Sequence, residues 1–486
     1  MSAAIATVVP DTSATAPRAA GLAFLRERGM GASILVAALS TAFGVLLLSA
    51  TGFLGVLLAT DPYIGDSETL LIVIAILSGI LLLLALYVAA IVTANTFSTI
   101  VAGRTRRIAL MRLIGATARS QRVEVARQGL VVGAIGAALG LAVGVALAAG
   151  GVAVATAVIR DTGYEVAQAW LLVPAAIVTL TTWAAAWVGS RRVLTVTPLQ
   201  ALGGSVERAH DEFSRPARNV PAAVLVGAGT LLLVGGVLLG AVTPLGVLPA
   251  FLGGLLSFTG LVVGSTVVMP PVLRLVGRAF GDSAVARLAA DNALRYPERT
   301  SRMGIGVTVG VTLVTMFAVA AESAQAVLAA NSQGLDLGRI PVLDQFAAVM
   351  MALVGVSAVI AAVGLVNLLT IGVVQRRREL GLLRALGLSN AQIRRMVLLE
   401  ATHITLASVA LGLVLGVFYG WVGAQSVLGS VSLVVGAPGG AIVMPAVPWL
   451  FVAAVVVAAA ALTLVAAVVP TRLATRVVPV EALHAE

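Results

Sequence analysis

The sequence contains no cysteine and no lysine. Without cysteine there is no disulfide, no thiolate metal site and no lipid-modified N-terminal Cys. Without lysine, all 31 basic residues are arginine. A phosphate-binding loop of the GxxxxGK[ST] form is thereby excluded, because its lysine must reach the nucleotide phosphates. If ATP drives this protein, another chain binds it. Histidine is nearly missing too: His210, His403 and His484 lie far apart, with no HxxxH spacing, and no metal site is expected. Charge of either sign is scarce, at 11% of residues against 59% hydrophobic, with a mean hydropathy of +1.06. A soluble chain of 486 residues cannot bury that much apolar surface. The composition is that of an integral membrane protein, and the net charge of +10 is explained by where the arginines sit, without a nucleic-acid partner.

Apolar runs of about 20 residues, the length that spans a bilayer, occur near 31–59, 69–101, 124–150, 167–189, 219–241, 246–273, 303–328, 343–374, 396–423 and 446–470. This predicts an all-α polytopic membrane protein with about ten transmembrane helices. The second and eighth runs are long enough to tilt or to project from the bilayer. The first is followed by no A-x-A cleavage site and reads as a span, not as a removed signal peptide. Residues 1–17, rich in Ala, Thr, Ser and Pro, read as a disordered tail.

Arginine sets the expected orientation. With both termini in the cytoplasm, every Arg except Arg160 and Arg339 lies on the cytoplasmic side, and the opposite orientation would invert the positive-inside rule. The outer loops are short and carry acids, among them Asp61, Asp66, Glu68, Asp161, Glu165, Asp336 and Asp344. This places the chain in the cytoplasmic (inner) membrane as a multi-pass protein in contact with lipid.

The densest charge lies in Gln375-Arg-Arg-Arg-Glu-Leu-Gly-Leu-Leu-Arg-Ala-Leu-Gly387. Leu380, Leu383 and Gly387 recur at helical spacing beside an Arg-rich face. Gly387 is placed to end this short helix in the left-handed conformation. Ser389 and Gln392 read as a capping box that opens the next helix. Such a helix, held between two spans, offers a surface to be gripped from the cytoplasm; the plainer alternative is a basic loop that only sets topology and anchors to headgroups.

The stretch recurs. At an offset of 272, Asn95, Val101, Arg104, Arg106, Leu110, Arg112 and Gly115 match Asn367, Val373, Arg376, Arg378, Leu382, Arg384 and Gly387, and Arg122 matches Arg394. Leu139 to Val145 matches Leu411 to Val417, and Arg191, Pro198, Ala201 and Leu202 correspond to Arg472, Pro479, Ala482 and Leu483. Six spans, an even number, separate equivalent positions, so the two repeats are parallel, in contrast to inverted-repeat transporters. The expected plan is four spans, two linking spans and four spans (4+2+4), with a first domain at 18–202, a linker at 203–282 and a second domain at 283–486.

QRRRELGLLRALGLSNAQIRRMVLLEA (375–401) resembles the signature of FtsX-like permease domains, the membrane components of MacB-type ABC transporters, and Ala289 to Arg302 resembles the basic segment before such a domain's first span. The first copy, GRTRRIALMRLIGATARSQRV, is more degenerate, with Arg107 where the second has Glu379. The resemblance implies a permease subunit without its own ATPase site, coupled to a separate ABC ATPase that carries ATP and Mg, two copies per permease. It implies that the ATPase grips short coupling helices formed by Arg106, Arg107, Ile108, Met111, Arg112 and Gly115 in the first copy. Their counterparts in the second are Arg378, Glu379, Leu380, Leu383, Arg384 and Gly387, joined there by Arg377. The expected function is export or extraction of an amphiphilic peptide, lipid or drug. The ten-span form is similar to bacitracin-export permeases, but only Ala329 to Leu343 stands where those carry a large external domain.

Other residues read more plainly. Asn95 and Asn367 are suited to interhelical hydrogen bonds, and Gly140/Gly144 and Gly412/Gly416 to close helix packing. Glu322 and Glu400, charged residues within apolar runs, are candidates for a substrate or proton role or for snorkelling at the interface, with His403 one turn from Glu400. The five tryptophans, Trp170, Trp183, Trp187, Trp421 and Trp449, mostly suit interfacial anchoring. Two other functions stay open: transmembrane signalling or scaffolding driven by the same ATPase, and secondary transport, for which midplane ionisable groups are few. The chain lacks native cysteine, so topology is directly measurable. Single cysteines at Asp66, Gly163, Asp336 and Gly436 are expected to label from outside, and at Thr105, His210, Glu298 and Leu382 only from inside. External labelling of Leu382→Cys would overturn the orientation.

Overall fold

The computed structural model describes residues 30–59, 113–158, 163–190, 216–278, 297–331, 387–430 and 442–458, together with 79, 80, 83, 87, 90, 91, 110, 111, 291, 293, 294, 460 and 461. Among the described residues every regular element is a helix. In lipid no water is available for backbone N–H and C=O groups, and an apolar helix satisfies them within itself. In chain order the helices are α1 (Met30–Ala59), α2 (Ala118–Val158), α3 (Leu172–Gly189, entered through a 3₁₀ turn at Ala169–Leu171), α4 (Pro216–Gly240), α5 (Val247–Val263), α6 (Ser265–Gly277), α7 (Pro297–Asn331) and α8 (Asn390–Leu428). A shorter apolar helix, α9, covers Trp449–Ala458.

Seven candidate spans fall on these helices: α1 to α5, α7 and α8. The chain is a multi-pass membrane protein. The spans expected near 69–101 and 343–374 lie outside the described residues, apart from the few positions given above for the former.

Three span readings change. The third and ninth spans, expected near 124–150 and 396–423, belong to helices of 41 and 39 residues. At 1.5 Å per residue these are about 60 Å long, twice the hydrocarbon core. Hydropathy marks only the membrane-crossing part; Arg119, Gln121, Arg122, Glu124, Arg127 and Gln128 continue the α2 helix as its polar first turns. The single sixth span expected at 246–273 is instead broken at Gly264 into α5 and α6. Pro270 and Pro271 lie inside α6 and leave the carbonyls four residues back without their N–H donors. The helix restarts at Gly264, whose carbonyl accepts from the N–H groups of Val267 and Val268 at 2.8 and 3.1 Å.

Glycines set the main packing contacts. Between α7 and α8, a Cβ on Gly412 would lie 2.8 Å from the Val311 Cβ and 3.1 Å from the Thr308 carbonyl oxygen. One on Gly416 would lie 2.5 Å from the Thr315 Cβ and 2.9 Å from the Thr312 carbonyl oxygen. Between α1 and α2, a Cβ on Gly140 would meet the Ala38 carbonyl oxygen and lie 2.8 Å from the Thr41 Cβ, and one on Gly144 would lie 2.9 Å from the Ala42 Cα and the Val45 Cβ. The glycines are 272 residues apart and the residues they press on are 270 apart. The two helix pairs therefore cross in one register, and the internal duplication includes α1 and α7.

The linker helices join the halves. α4 and α5 form a hairpin in which Gly236 and Gly253 face backbone, with Cβ positions 2.6 Å from the Ala250 and Leu233 nitrogens. Phe258 of α5 enters a buried cluster with Val36, Phe43 and Leu47 of α1 and with Val309, Leu313 and Tyr419 of α7 and α8. On one side of α5 the Tyr87 hydroxyl is 2.6 Å from the Thr259 hydroxyl. On the other the Tyr419 hydroxyl is 2.9 Å from that of Ser257. α6 packs against α7 and α8 through the fully buried Met269 and Leu273.

Substituting Gly140→Leu or Gly412→Leu overpacks a contact that has no room, at a cost of typically ~1–3 kcal/mol. Gly423→Ala meets nothing within 4 Å and gains roughly 0.5–1 kcal/mol of helix propensity. Thermal unfolding of purified protein should show Tm lowered by the first two and not by the third.

Candidate functional site

The two basic stretches end in the same backbone device. Gly115 and Gly387 have φ of +105° and +98°, a conformation that an L side chain adopts only with strain. In the first copy the Ala116 N–H donates to the Met111 carbonyl at 3.0 Å and the Ile114 N–H to the Leu110 carbonyl at 3.2 Å. The first of these is the Schellman closure, with Gly115 as the left-handed residue. Two residues beyond each glycine a hydroxyl caps the next helix. Thr117 Oγ1 accepts from the Ser120 N–H at 3.1 Å, and Ser389 Oγ accepts from the Gln392 N–H at 3.2 Å. Gln392 Oε1 in turn accepts the Ser389 N–H at 2.9 Å, completing the box that the sequence predicts. In the first copy Ser120 stands at the position of Gln392, and its Oγ donates to the Thr117 carbonyl at 2.8 Å.

The turn of the first copy presents apolar side chains outward. Leu110, Met111 and Leu113 are exposed, and Ile114 is 80% exposed, next to the first polar turn of α2. Sequence reasoning chose Met111 but missed Leu113 and Ile114, because it followed helical spacing back from the glycine and stopped short of the turn itself. Of the other coupling residues expected from sequence, Gly115 and Gly387 are in place at the turns. Arg106, Arg107, Ile108, Arg112, Arg377, Arg378, Glu379, Leu380, Leu383 and Arg384 lie outside the described residues, as do Asn95 and Asn367.

Behind the first turn, Arg122 is clamped. Its guanidinium carbon lies 4.2 Å from the ring centroid of Trp187. Its Nη2 donates to the Trp187 carbonyl at 3.3 Å and its Nε to Ser190 Oγ at 3.4 Å. The start of α2 is thus tied to the end of α3 by a cation–π contact and two hydrogen bonds, contacts that contribute most where water is partly excluded. The sequence repeat singled out Arg122 through its match to Arg394, and Trp187 only as an interfacial anchor. Arg394 and its neighbour Arg395 are exposed, as is Arg119. The Glu124–Arg127 pair at 3.8 Å is solvated and contributes ~0–1 kcal/mol. The arrangement fixes the start of α2 against α3 and presents apolar and cationic groups at the starts of two long helices.

The intramembrane candidates resolve differently. His403 is 1% exposed, and its Nε2 donates to the Leu273 carbonyl near the end of α6 at 2.7 Å. It links α8 to α6 as a structural tie, which a reading confined to α8 and to Glu400 could not foresee. Glu322 is exposed near the end of α7 and Glu400 is half-buried on α8, so neither carboxylate is enclosed in a cavity. Trp421 donates from Nε1 to the Val443 carbonyl at 2.8 Å, while Trp170, Trp183 and Trp449 are exposed.

The family model described as FtsX-like permease C-terminal matches residues 79–198 and 351–479, just over half of the chain, in two copies that begin 272 residues apart. The chain belongs to the FtsX-like permease family. It is 35% identical over 66 residues to the ABC transporter permease YtrF of Bacillus subtilis, covering 13% of this chain and 15% of that protein. It is 33% identical over 145 residues to the macrolide export ATP-binding/permease protein MacB of Rhodopirellula baltica, covering 30% of this chain and 19% of that protein. The aligned part is therefore less than a fifth of the length of either relative.

The turn is expected to be sensitive to its glycine and its cap. Gly387→Val places a β-branched residue at positive φ, at a cost of ~1–3 kcal/mol, and Ser389→Ala removes the cap at ~1 kcal/mol. Hydrogen exchange at residues 388–393 should accelerate in both variants, more in Gly387→Val. Unchanged exchange would mean that the turn is held by something other than these groups.

Proposed function

We propose that this chain is the permease subunit of an ABC transporter. A separate ATPase, with ATP and Mg bound to its own subunits, drives export or extraction of an amphiphilic peptide, lipid or drug. The observation that carries this reading is the pair of equivalent turns, each with a positive-φ glycine and a hydroxyl cap, each opening a helix about 60 Å long. A displacement at such a turn would be transmitted along a rigid helix across the bilayer. Membership of the FtsX-like family and the similarity to an ABC transporter permease support the same reading.

In detail, the chain spans the membrane ten times in a 4+2+4 order, with both termini cytoplasmic, domains at 18–202 and 283–486 and a linker at 203–282. The ATPase grips the two short helices preceding Gly115 and Gly387. Apolar contact comes from Ile108 and Met111 in the first and from Leu380 and Leu383 in the second. Arg106 and Arg112, and Arg377, Arg378 and Arg384, flank them with positive charge. One chain carries two such helices, so one permease binds two ATPase subunits, an assembly that native mass spectrometry would count.

The two faces are unequal. Glu379 in the second stands where the first has Arg107. A solvated ion pair is worth little, whereas removing one partner of a desolvated pair costs several kcal/mol. Glu379→Arg should clearly reduce ATPase stimulation by the permease, Arg107→Glu should be tolerated or mildly beneficial, and Leu383→Asp should be worse than either because it places a charge in an apolar groove. ATPase activity and complex retention, measured at matched protein levels, decide the matter. If Glu379→Arg and Leu383→Asp both behave like the parent, these helices are membrane anchors and not the coupling surface.

A further inference from the structure

Residues 442–448 form a non-helical strap across the ends of α7 and α8 farthest from the basic turns, leading into α9. One edge is fixed. The Val443 N–H donates to Gln425 Oε1 at 2.6 Å, the Val443 carbonyl accepts from Trp421 Nε1 at 2.8 Å, and the Ala446 N–H donates to Ser323 Oγ at 3.1 Å. The Val443 side chain is buried. The other edge is bare: Ile442 is 76%, Met444 78%, Trp449 75% and Leu450 89% exposed.

We infer that this bare edge is a lipid-contact surface, seated among the acyl chains at the headgroup boundary of the outer leaflet. Three further observations fix the occupant. First, depth: the last charged residue on α8 before the strap is Glu400, and on α7 the helix rises from Arg302 to Ser323. At 1.5 Å per residue, the 21-residue steps from Glu400 to Trp421 and from Arg302 to Ser323 are each about 30 Å, the thickness of the hydrocarbon core. Both helices therefore put the strap's anchor points at the far boundary, where the exposed Glu322 also reaches headgroups. Second, charge: no Asp, Glu, Lys or Arg occurs between Glu400 and Arg472, whereas the three other long outer loops expected from sequence carry acids, among them Asp66, Asp161 and Asp336. A loop bathed in water has no reason to be so uncharged and so apolar. Third, backbone chemistry: Pro445 and Pro448 have no N–H, and those of Val443 and Ala446 are bonded to side chains of α7 and α8. Irregular backbone within the hydrocarbon needs its polar groups satisfied by protein, and at the headgroup boundary headgroups and water serve the remaining ones. Trp449, at the start of α9, suits the same boundary.

The assignment of the leaflet rests on the proposed orientation; the depth does not. Spin labels on Ile442→Cys and Met444→Cys in the cysteine-free chain, reconstituted in phosphatidylcholine vesicles, test the depth by power saturation. Glu165→Cys, exposed in the turn before α3, is the aqueous reference. The expected result is relaxation by oxygen exceeding that by a water-soluble nickel chelate at 442 and 444, and the reverse at 165. Nickel-dominated relaxation at 442 and 444 would put the strap in water. Protection from both agents would mean that protein, whether a second copy or another part of this chain, covers it. Either outcome overturns the proposal. Labelling of Glu165→Cys by an impermeant maleimide on intact cells reads the orientation separately, so that a reversed orientation moves the surface to the other leaflet without affecting the depth result.

Discussion

The close approach of backbones at Gly140, Gly144, Gly412 and Gly416 is the contact on which the architecture depends. Lipid tails are as apolar as leucine side chains, so helices in a bilayer gain little from burying apolar surface against each other. What remains is dispersion at short range and interhelical hydrogen bonding, and both require backbones to come near. The glycines bring α2 onto the carbonyl of Ala38 and α8 onto those of Thr308 and Thr312. At that distance the Thr308 hydroxyl reaches the Ser408 carbonyl at 3.2 Å. Each half is thus a stiff pair of long helices, one of which begins at a capped, basic turn.

The linker limits how those pairs move. α5 is bonded through Thr259 to Tyr87 of the first half and through Ser257 to Tyr419 of the second, with the Phe258 ring between them at centroid distances of 6.4 and 6.1 Å. α6, freed from α5 by the break at Gly264, is tied instead to the second half through Leu273 and His403 and through Ser265 and Ser301. The two linking spans are therefore divided in allegiance: α4 and α5 bridge the halves, and α6 travels with the second. Motion of one half relative to the other would concentrate on the hydroxyl and ring contacts of α5, which are few and short-ranged.

Much of this was legible in the residues. Apolar runs located α1, α3, α4, α7 and α8 because a span must be apolar over the bilayer thickness, and the family motif, the glycine turns and the Ser389–Gln392 box follow from local chemistry between near neighbours. The ends of α2 and α8 were not legible from hydropathy, because a helix continues into water wherever polar helix-forming residues follow the apolar ones. The break at Gly264 was hidden by an unbroken apolar composition, although Pro270 and Pro271 marked the region. Of the candidate coupling surface, the turns were foreseen and the outward Leu113 and Ile114 were not, since exposure at a turn depends on where the chain bends.

The sequence by itself determined that the chain lies in a membrane, that it is built from two copies of one domain, and that each copy has a basic stretch closed by a left-handed glycine. These are properties of composition and of residues within a few positions of one another, for which the local free energy has one clear minimum. Only the tertiary structure decided that His403 serves Leu273, that Arg122 is clamped on Trp187, that Tyr87 and Tyr419 meet α5, and that Val443 is sewn to Gln425 and Trp421. Each of these joins residues on different segments of the fold, where many polar partners are within reach in principle. The choice among them is made by the depth and rotation of whole helices, set in turn by the glycine contacts.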